Sequence, residues 1–177
     1  MFFIHSLQKR VLRKIQPERD VRFMSVERAK NVCFVFDLSE EGISDVIKRI
    51  TKLMQDKRIN YKGLAINLTN NHSSELALDC QILVMTKKDL SYIGTPDPRM
   101  IERVISDTAD LFIDFNSTYS YTNDYIARSS MATFKVGRLN YENNPFDLVI
   151  GSNGNVASSP KEFLKHLFHY LSSIKSA

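Results

Sequence analysis

The chain has 177 residues, 43% of them hydrophobic and 25% charged, a composition typical of one globular domain with a substantial core. Only six residues are glycine, and neither G-x-G-x-x-G nor G-x-x-x-x-G-K-[ST] occurs, which excludes the common glycine-rich phosphate loops. The net charge is +4, but residues 1–30 hold eight Lys or Arg and three Asp or Glu, a net charge of +5, which leaves −1 for residues 31–177. Because this larger part has no excess of cations, nucleic acid is not an expected partner.

The first predicted element is a basic amphipathic helix over residues 4–15. Its apolar side chains recur at helical spacing, cations occupy the other positions, and Pro17 ends the pattern. Three roles for this helix stay open: docking on its own domain, contact with a partner protein, and contact with an anionic membrane surface. The candidate contact residues are Phe2, Phe3, Leu7, Lys9, Arg10, Arg13 and Lys14.

No apolar segment reaches the length of a signal-peptide core or of a membrane-spanning helix, and no Cys-x-x-Cys pair occurs. We therefore expect a cytoplasmic protein, and the inner face of the membrane is the place where the basic helix would act.

Beyond this helix, a short edge strand is predicted over residues 21–24 and a turn near Ser25. From Asn31 onward, short apolar runs alternate with amphipathic helices, which is typical of βα units that build a parallel sheet. The predicted strands cover residues 31–37, 62–68, 80–85, 110–115, 132–137 and 146–150. This pattern predicts a basic leader over residues 1–30, followed over residues 31–177 by a single three-layer, Rossmann-like α/β domain with a mainly parallel sheet of about six strands.

The starts of three helices can be predicted from capping residues. The predicted caps are Ser39, then Asp97 with Pro98 in the first turn, and finally Ser159 with Glu162 in a capping box. Asn153-Gly154 predicts a tight turn just before the last of these helices.

Polar side chains follow the predicted strands at the points where they end. Because the carboxyl ends of parallel strands meet at one edge of the sheet, where helix N-termini also converge, a ligand is expected to bind there. The candidate ligand-binding residues are Asp37, Asp114, Asn116, Ser117, Thr118 and Arg138. Two carboxylates and a cation at one edge can do acid–base work or hold an anion, and a small phosphorylated molecule is one ligand compatible with them. The alternative interpretation is that these side chains only hydrogen-bond loop and helix-start amides.

The segment from Asn116 to Tyr125 is rich in hydroxyl and tyrosine side chains and lies between a predicted strand and a predicted helix. Either it lines a pocket, or its Ser, Thr and Tyr residues cap the helix and cover an edge of the sheet.

Other reactive residue types give weaker signals. Cys33 and Cys80 lie in apolar runs and are predicted to be core residues. His166 and His169 are three residues apart on the last helix but have no accompanying ligands, so no metal site is predicted. No G-x-S-x-G nucleophile elbow occurs, and no cofactor is predicted.

Three segments carry a resemblance to known proteins. They are a strand over residues 109–116 (ADLFIDFN), a helix over residues 125–130 with an Ile-Ala-Arg sequence, and a strand over residues 133–138 (TFKVGR). In this order they resemble an uncharacterised family of short bacterial proteins, a domain of unknown function. The resemblance covers most of the chain, including the basic leader, and implies no activity.

The stretch of about thirty residues that contains these segments is more distantly similar to the amino-terminal domain of lipopolysaccharide heptosyltransferases. That similarity implies the acceptor-binding half of a glycosyltransferase with two Rossmann domains. The chain differs from those enzymes after the first strand, where residues 37–41 read DLSEE instead of a Gly-Asp motif, and no second domain of that kind is evident. The similarity therefore implies the fold and not the activity.

Together these observations predict a non-catalytic binding or interaction module whose partner is either a protein or an anionic membrane surface. The alternative is a small transferase, or a protein that binds a nucleotide or sugar phosphate, with its site among the candidate residues at the carboxyl ends of the strands.

Overall fold

The computed structural model describes residues 2–15, 18–69, 79–105, 109–151 and 158–173. The strands are β1 (Asn31–Asp37), β2 (Asn60–Asn67), β3 (Ile82–Thr86), β4 (Leu111–Asp114), β5 (Phe134–Gly137) and β6 (Leu148–Val149). The helices are α1 (Phe2–Lys14), α2 (Ile43–Asp56), α3 (Pro98–Val104), α4 (Tyr121–Ser129) and α5 (Pro160–Ser173), and a 3₁₀ turn covers Lys87–Asp89.

The strands form one parallel sheet in the order β3-β2-β1-β4-β5-β6. The order reverses between β1 and β4, which are neighbours in the centre of the sheet. In open α/β sheets this reversal opens the crevice in which ligands usually bind. The predicted Rossmann-like α/β fold, with a parallel sheet of six strands in the described residues and a helix before it, is confirmed.

The core lies on both faces of the sheet, and β1 is buried on both sides. Phe34 and Phe36 pack in one cluster with the apolar faces of α2 and α5. Cys33 and Val35 point to the opposite face and pack in a second cluster with residues of α3 and α4. This alternation explains why the continuous apolar run of β1 predicted a central parallel strand.

Helix α1 packs against α4. Leu12 is buried in this contact, and Gln8 Nε2 donates a hydrogen bond to the carbonyl oxygen of Ile93 at 2.7 Å. Of the three roles left open by the sequence, docking on the domain is the one that the structure contains.

Two of the predicted helix caps are confirmed. Asp97 accepts a hydrogen bond from the backbone N–H of Arg99 at 2.9 Å, with Pro98 in the first turn. Ser159 and Glu162 form the reciprocal capping box, with bonds of 3.0 and 3.2 Å. The turn predicted at residues 153–154 lies outside the described residues.

The third predicted cap, Ser39, is wrong. Its backbone N–H and its hydroxyl both donate to Asp37, at 2.8 and 2.6 Å, so Ser39 closes a turn after β1 instead of starting α2. The cap of α2 is Gly42, whose φ of 78° lies in the left-handed region that favours glycine.

Two other predictions are corrected. Residues 21–24 form no strand, although Arg22 N–H donates one bond to Thr133 O at 3.3 Å and Phe23 packs edge-to-face on Phe134. Cys80 is exposed because β3 begins only at Ile82, which leaves Cys80 in the preceding turn.

Candidate functional site

The carboxyl end of β4 carries a buried carboxylate in a tight local turn. Asp114 is 5% exposed, and its Oδ1 accepts hydrogen bonds from the backbone N–H and the side-chain Nδ2 of Asn116, at 2.9 and 2.6 Å. Asn116 is 3% exposed. The strand therefore ends in two polar side chains that are held together and away from solvent.

Helix α4 adds a second buried carboxylate. Ser120 caps the helix by accepting from Asn123 N–H at 3.1 Å, which places Asp124 in the first turn, where the helix dipole favours a negative charge. Asp124 Oδ1 accepts from Arg128 Nε one turn later at 2.8 Å and from the hydroxyl of Tyr141 at 3.0 Å. Asp124 is thus held by its own helix and by the loop after β5.

A small cavity lies between these groups. Its volume is about 10 Å³, which is room for one water-sized group. The ring of Tyr119 meets the ring of Tyr141 edge-to-face at 5.0 Å beside it. The lining residues are Asp114, Asn116, Thr118, Tyr119, Ser120, Asn123, Asp124, Leu139 and Tyr141.

The surroundings of Asp114 favour the protonated, neutral form of its carboxyl group. Burial, with the nearby charge of Asp124 adding to it, raises the pKa of Asp114 to about 7, although the hydrogen bonds from Asn116 and the charge of Arg138 oppose the shift. Burial and the same two carboxylates also raise the pKa of the Tyr141 hydroxyl. Asn116 Oδ1 is buried and has no hydrogen-bond partner among the described residues.

A buried lysine fixes the other end of α4. Lys135 Nζ, on β5, donates to the carbonyl oxygen of Ala127 at 2.7 Å and so satisfies one of the free carbonyls at the end of the helix. Burial lowers the pKa of Lys135 to about 7. The helix that carries Asp124 is therefore held to β5 at its C-terminal end and to the loop after β5 at Asp124.

The structure brings three of the six predicted ligand-binding residues together, since Asp114, Asn116 and Thr118 all line the cavity. Asp37 lies on the same face of the sheet, but its carboxylate accepts from Ser39 in a separate turn. Ser117 is half-buried and does not line the cavity. A ligand-binding role for these residues stays a prediction.

The remaining predicted residue, Arg138, is an internal support. It is 2% exposed, and its Nη1 donates to Glu40 Oε1 and to Phe115 O, both at 2.8 Å. Its Nε donates to Ser158 O at 2.8 Å, and Nη2 bonds to the same carbonyl. Arg138 thus ties the loops after β1 and β4 to the residue before the capping box of α5, and every guanidinium nitrogen already has a partner.

Sequence reasoning missed Tyr141 and Arg128. Asp124 and its neighbours lie within the hydroxyl-rich segment, for which a pocket lining was one of two interpretations. Tyr141 lies 17 residues further on, in a loop with no motif, and only the fold brings it to Asp124.

A larger cavity of about 460 Å³ lies at the opposite edge of the sheet, where β1 and β2 begin. Cys33 lines it, and burial raises the pKa of this thiol to about 12, which disfavours the reactive thiolate. Its polar lining includes Asn31, Asn60 and Lys62, without an acid–base pair among them.

The outer face of α1 is a second candidate surface. Lys9, Arg10, Arg13 and Lys14 are exposed, Leu7 is half-buried, and Phe3 is 77% exposed. Phe2 begins the helix. No helix among the described residues is long and apolar enough to cross a membrane.

A protein-family model matches residues 2–174, which includes α1, the whole sheet and α5. The chain belongs to DUF6913, a family of unknown function. Membership in DUF6913 agrees with the predicted resemblance to a domain of unknown function and assigns no reaction. No curated protein and no solved structure matches the chain, so the distant similarity to heptosyltransferases stays a prediction. No cluster of three His, Cys, Asp or Glu side chains suited to a metal occurs in the described part of this DUF6913 chain.

Proposed function

We propose that the protein is a non-catalytic binding module that attaches to anionic membrane surfaces through the outer face of α1. The observation that carries this proposal is the division of α1 into two faces. Leu12 and Gln8 hold the helix on the domain, while its cations point away from the domain. A docked helix of this kind presents its charge without having to unfold or detach.

The charge of α1 is of one sign. The helix contains no Asp or Glu, and its four Lys and Arg side chains are all exposed. Each cation near an anionic bilayer contributes about 1 kcal/mol at physiological ionic strength, so four together favour binding by roughly a thousandfold. The net charge of the chain is +4 and α1 supplies all of it, so the residues outside α1 carry no net charge and α1 is the expected contact.

Exposed apolar side chains accompany these cations. Phe3 and Ile4 are exposed in the first turn of α1. Tyr92, which is 82% exposed, precedes Ile93, whose carbonyl accepts the hydrogen bond from Gln8. Aromatic and apolar side chains beside cations are typical of helices that lie in the headgroup region of a bilayer.

The cationic outer face of α1 suits the cytoplasmic side of a membrane. Anionic lipids give the cytoplasmic leaflet its negative surface potential. The proposal therefore places the protein in the cytoplasm, at the inner face of the membrane, with a protein partner as the alternative occupant of the same helix face.

Vesicle co-sedimentation tests the proposal with two matched variants. R10E/R13E/K14E reverses three exposed cations of α1, and K48E/R49E/K52E reverses three exposed cations of α2, so both change the net charge by the same amount. On phosphatidylcholine vesicles that contain phosphatidylserine, the wild type and the α2 variant should pellet, and the α1 variant should stay in the supernatant. Raising the salt concentration should release the bound protein, and pure phosphatidylcholine should bind none.

Two results would overturn the proposal. One is that the wild type fails to pellet with anionic vesicles at low salt, which would leave α1 as an internal packing element or a protein contact. The other is an equal loss of binding in both variants, because net charge and not α1 would then be responsible. Phe3→Ala should lower the pelleted fraction at an intermediate salt concentration, where part of the wild type is still bound and the apolar contact makes the larger contribution.

The transferase alternative has less support. A cavity of about 10 Å³ has no room for a sugar phosphate, and it is lined by two carboxylates that would repel one. Arg138, the cation closest to the switch point among the predicted residues, is already bonded on every nitrogen.

A further inference from the structure

The cavity at the end of β4 is a site that the proposed membrane function does not use. We infer that it binds a single monovalent inorganic cation, Na⁺ or K⁺, between Asp114, Asn116 and Asp124. Three independent observations carry this inference: an unbalanced buried charge, an oxygen ligand without a donor, and a space of matching size.

The first observation is the charge balance. Asp124 is paired with Arg128 at 2.8 Å, and Glu40 is paired with Arg138 at 2.8 Å. In the part of the chain that the structure describes, no salt bridge reaches the carboxylate of Asp114, and its hydrogen-bond donors there are both uncharged groups of Asn116. Arg138 acts on Asp114 only through its charge and makes no salt bridge with it. A buried carboxylate without a countercharge is costly, and either a proton or one bound monovalent ion neutralises it.

The second observation is the amide of Asn116. The Nδ2 atom of Asn116 donates to Oδ1 of Asp114, so the oxygen of the Asn116 amide, its own Oδ1, makes no part of this hydrogen bond. This oxygen is buried and has no donor among the described residues. Buried oxygen atoms that lack donors usually meet an ordered water or an ion, and amide and carboxylate oxygens are the ligands that hard cations prefer.

The third observation is size. The cavity holds one water-sized group, with the rings of Tyr119 and Tyr141 beside it. Mg²⁺ retains several waters and so needs more space than the cavity provides. Ca²⁺ is about the size of Na⁺, and it is the charge that disfavours it, because within the described ranges only one carboxylate of the site lacks a salt-bridge partner. A largely dehydrated monovalent ion fits the volume and matches the single uncompensated charge.

Stability measurements at constant ionic strength test the inference. The full chain is held at about pH 8.5, where Asp114 is ionised, and NaCl or KCl replaces N-methyl-D-glucamine chloride at constant total chloride. Binding to the native state alone lowers the unfolding equilibrium constant by about elevenfold at ten times Kd, and the effect saturates. Asp114→Asn should abolish this response, and Asp37→Asn, at the end of β1, should keep it.

A second measurement does not depend on the folding of any variant. The ²³Na resonance of a NaCl solution should broaden when wild-type protein is added at pH 8.5, and KCl should reverse the broadening by competition. A membrane role of α1 is not involved in either measurement, so the two proposals succeed or fail separately.

Three outcomes would overturn the inference. No stabilisation by Na⁺ or K⁺ beyond that of N-methyl-D-glucamine would mean that the cavity holds only water. Equal responses in Asp114→Asn and Asp37→Asn would mean that the ions act elsewhere on the chain. Stabilisation by MgCl₂ or CaCl₂ but not by NaCl or KCl would show that the ion is divalent.

Discussion

The ends of β1 and β4 contain the same local turn in two different environments. Each strand ends in an Asp that accepts bonds from the backbone N–H and the side chain of the residue two positions later: Ser39 for Asp37 and Asn116 for Asp114. Both carboxylates lie on the face that carries Cys33 and Phe112. The short-range geometry of the two turns is therefore nearly the same.

The difference lies in what covers each turn. Asp37 is half-buried, whereas Asp114 is enclosed with Asp124 of α4 and Tyr141 of the loop after β5. Enclosure raises the pKa of Asp114 and leaves Asn116 Oδ1 without a donor. An Asp at the end of a strand by itself only closes a local turn. It becomes a candidate binding site when distant elements bury it.

The largest expected effect comes from breaking the link between the two turns. Arg138→Met removes the guanidinium that bonds Glu40 after β1 and Phe115 after β4. The variant should lose about 3–5 kcal/mol of unfolding free energy, because Glu40 keeps a partly buried charge without a partner. Urea denaturation measures this, and the double variant E40M/R138M should recover part of the loss. A loss below about 1 kcal/mol in Arg138→Met would show that the link is not structural.

The second prediction distinguishes Asp114 from Asp37 by the pH dependence of the unfolding free energy. The native state holds the Asp114 proton up to a pH of about 7, but the unfolded chain releases it near the ordinary value of 3.8. The stabilising contribution of the protonated group is therefore complete below pH 3.8 and is lost as the pH rises through 7, at up to about 1.4 kcal/mol per pH unit. Asp114→Asn should remove this dependence, and Asp37→Asn should retain it.

Urea midpoints between pH 4 and pH 8, in buffers without Na⁺ or K⁺, provide the measurement. If the wild type and Asp114→Asn show parallel stability curves over this range, Asp114 is not the buried titrating group that its surroundings indicate.

The same comparison shows how far the sequence could predict the structure. Local patterns were sufficient to predict the succession of strands and helices along the chain, because the apolar runs and the caps at Asp97 and Ser159 depend on nearby residues. They were also sufficient to place Asp37 and Asp114 at strand ends. They could not distinguish the two, because the cover of Asp114 comes from Tyr141, 27 residues further along the chain.

Arg138 is a second residue whose role depends on a contact far away in the chain. A cation after a strand end predicts an anion-binding group, and the sequence gives no sign that its partner is Glu40, 98 residues earlier. Ser39 failed as a predicted cap for a local reason: it closes the turn at Asp37, and α2 begins only after Gly42.

A smaller effect tests whether distant groups hold the β4 cluster. Tyr141→Phe removes the hydroxyl that donates to Asp124 at 3.0 Å and should lower the unfolding free energy by about 1–2 kcal/mol. Tyr92→Phe is the matched control, because Tyr92 is 82% exposed and should change stability by less than about 0.5 kcal/mol. Equal effects of the two substitutions in urea denaturation would mean that the Tyr141 hydroxyl does not hold Asp124.

The smallest expected effect is at Asp37. Asp37→Ala removes the acceptor for two donors of Ser39, but Ser39 is exposed and water can replace the lost acceptor. The loss of unfolding free energy should therefore be about 0.5–1 kcal/mol, well below that of Asp114→Ala, in which Asn116 N–H and Nδ2 become buried donors without an acceptor. Urea denaturation of both variants at the same pH gives the ratio directly. Because the two turns share one hydrogen-bond pattern, the ratio of the two losses measures the contribution of burial. Equal losses would show that the hydrogen-bond pattern, and not the burial of Asp114, determines the stability of both strand ends.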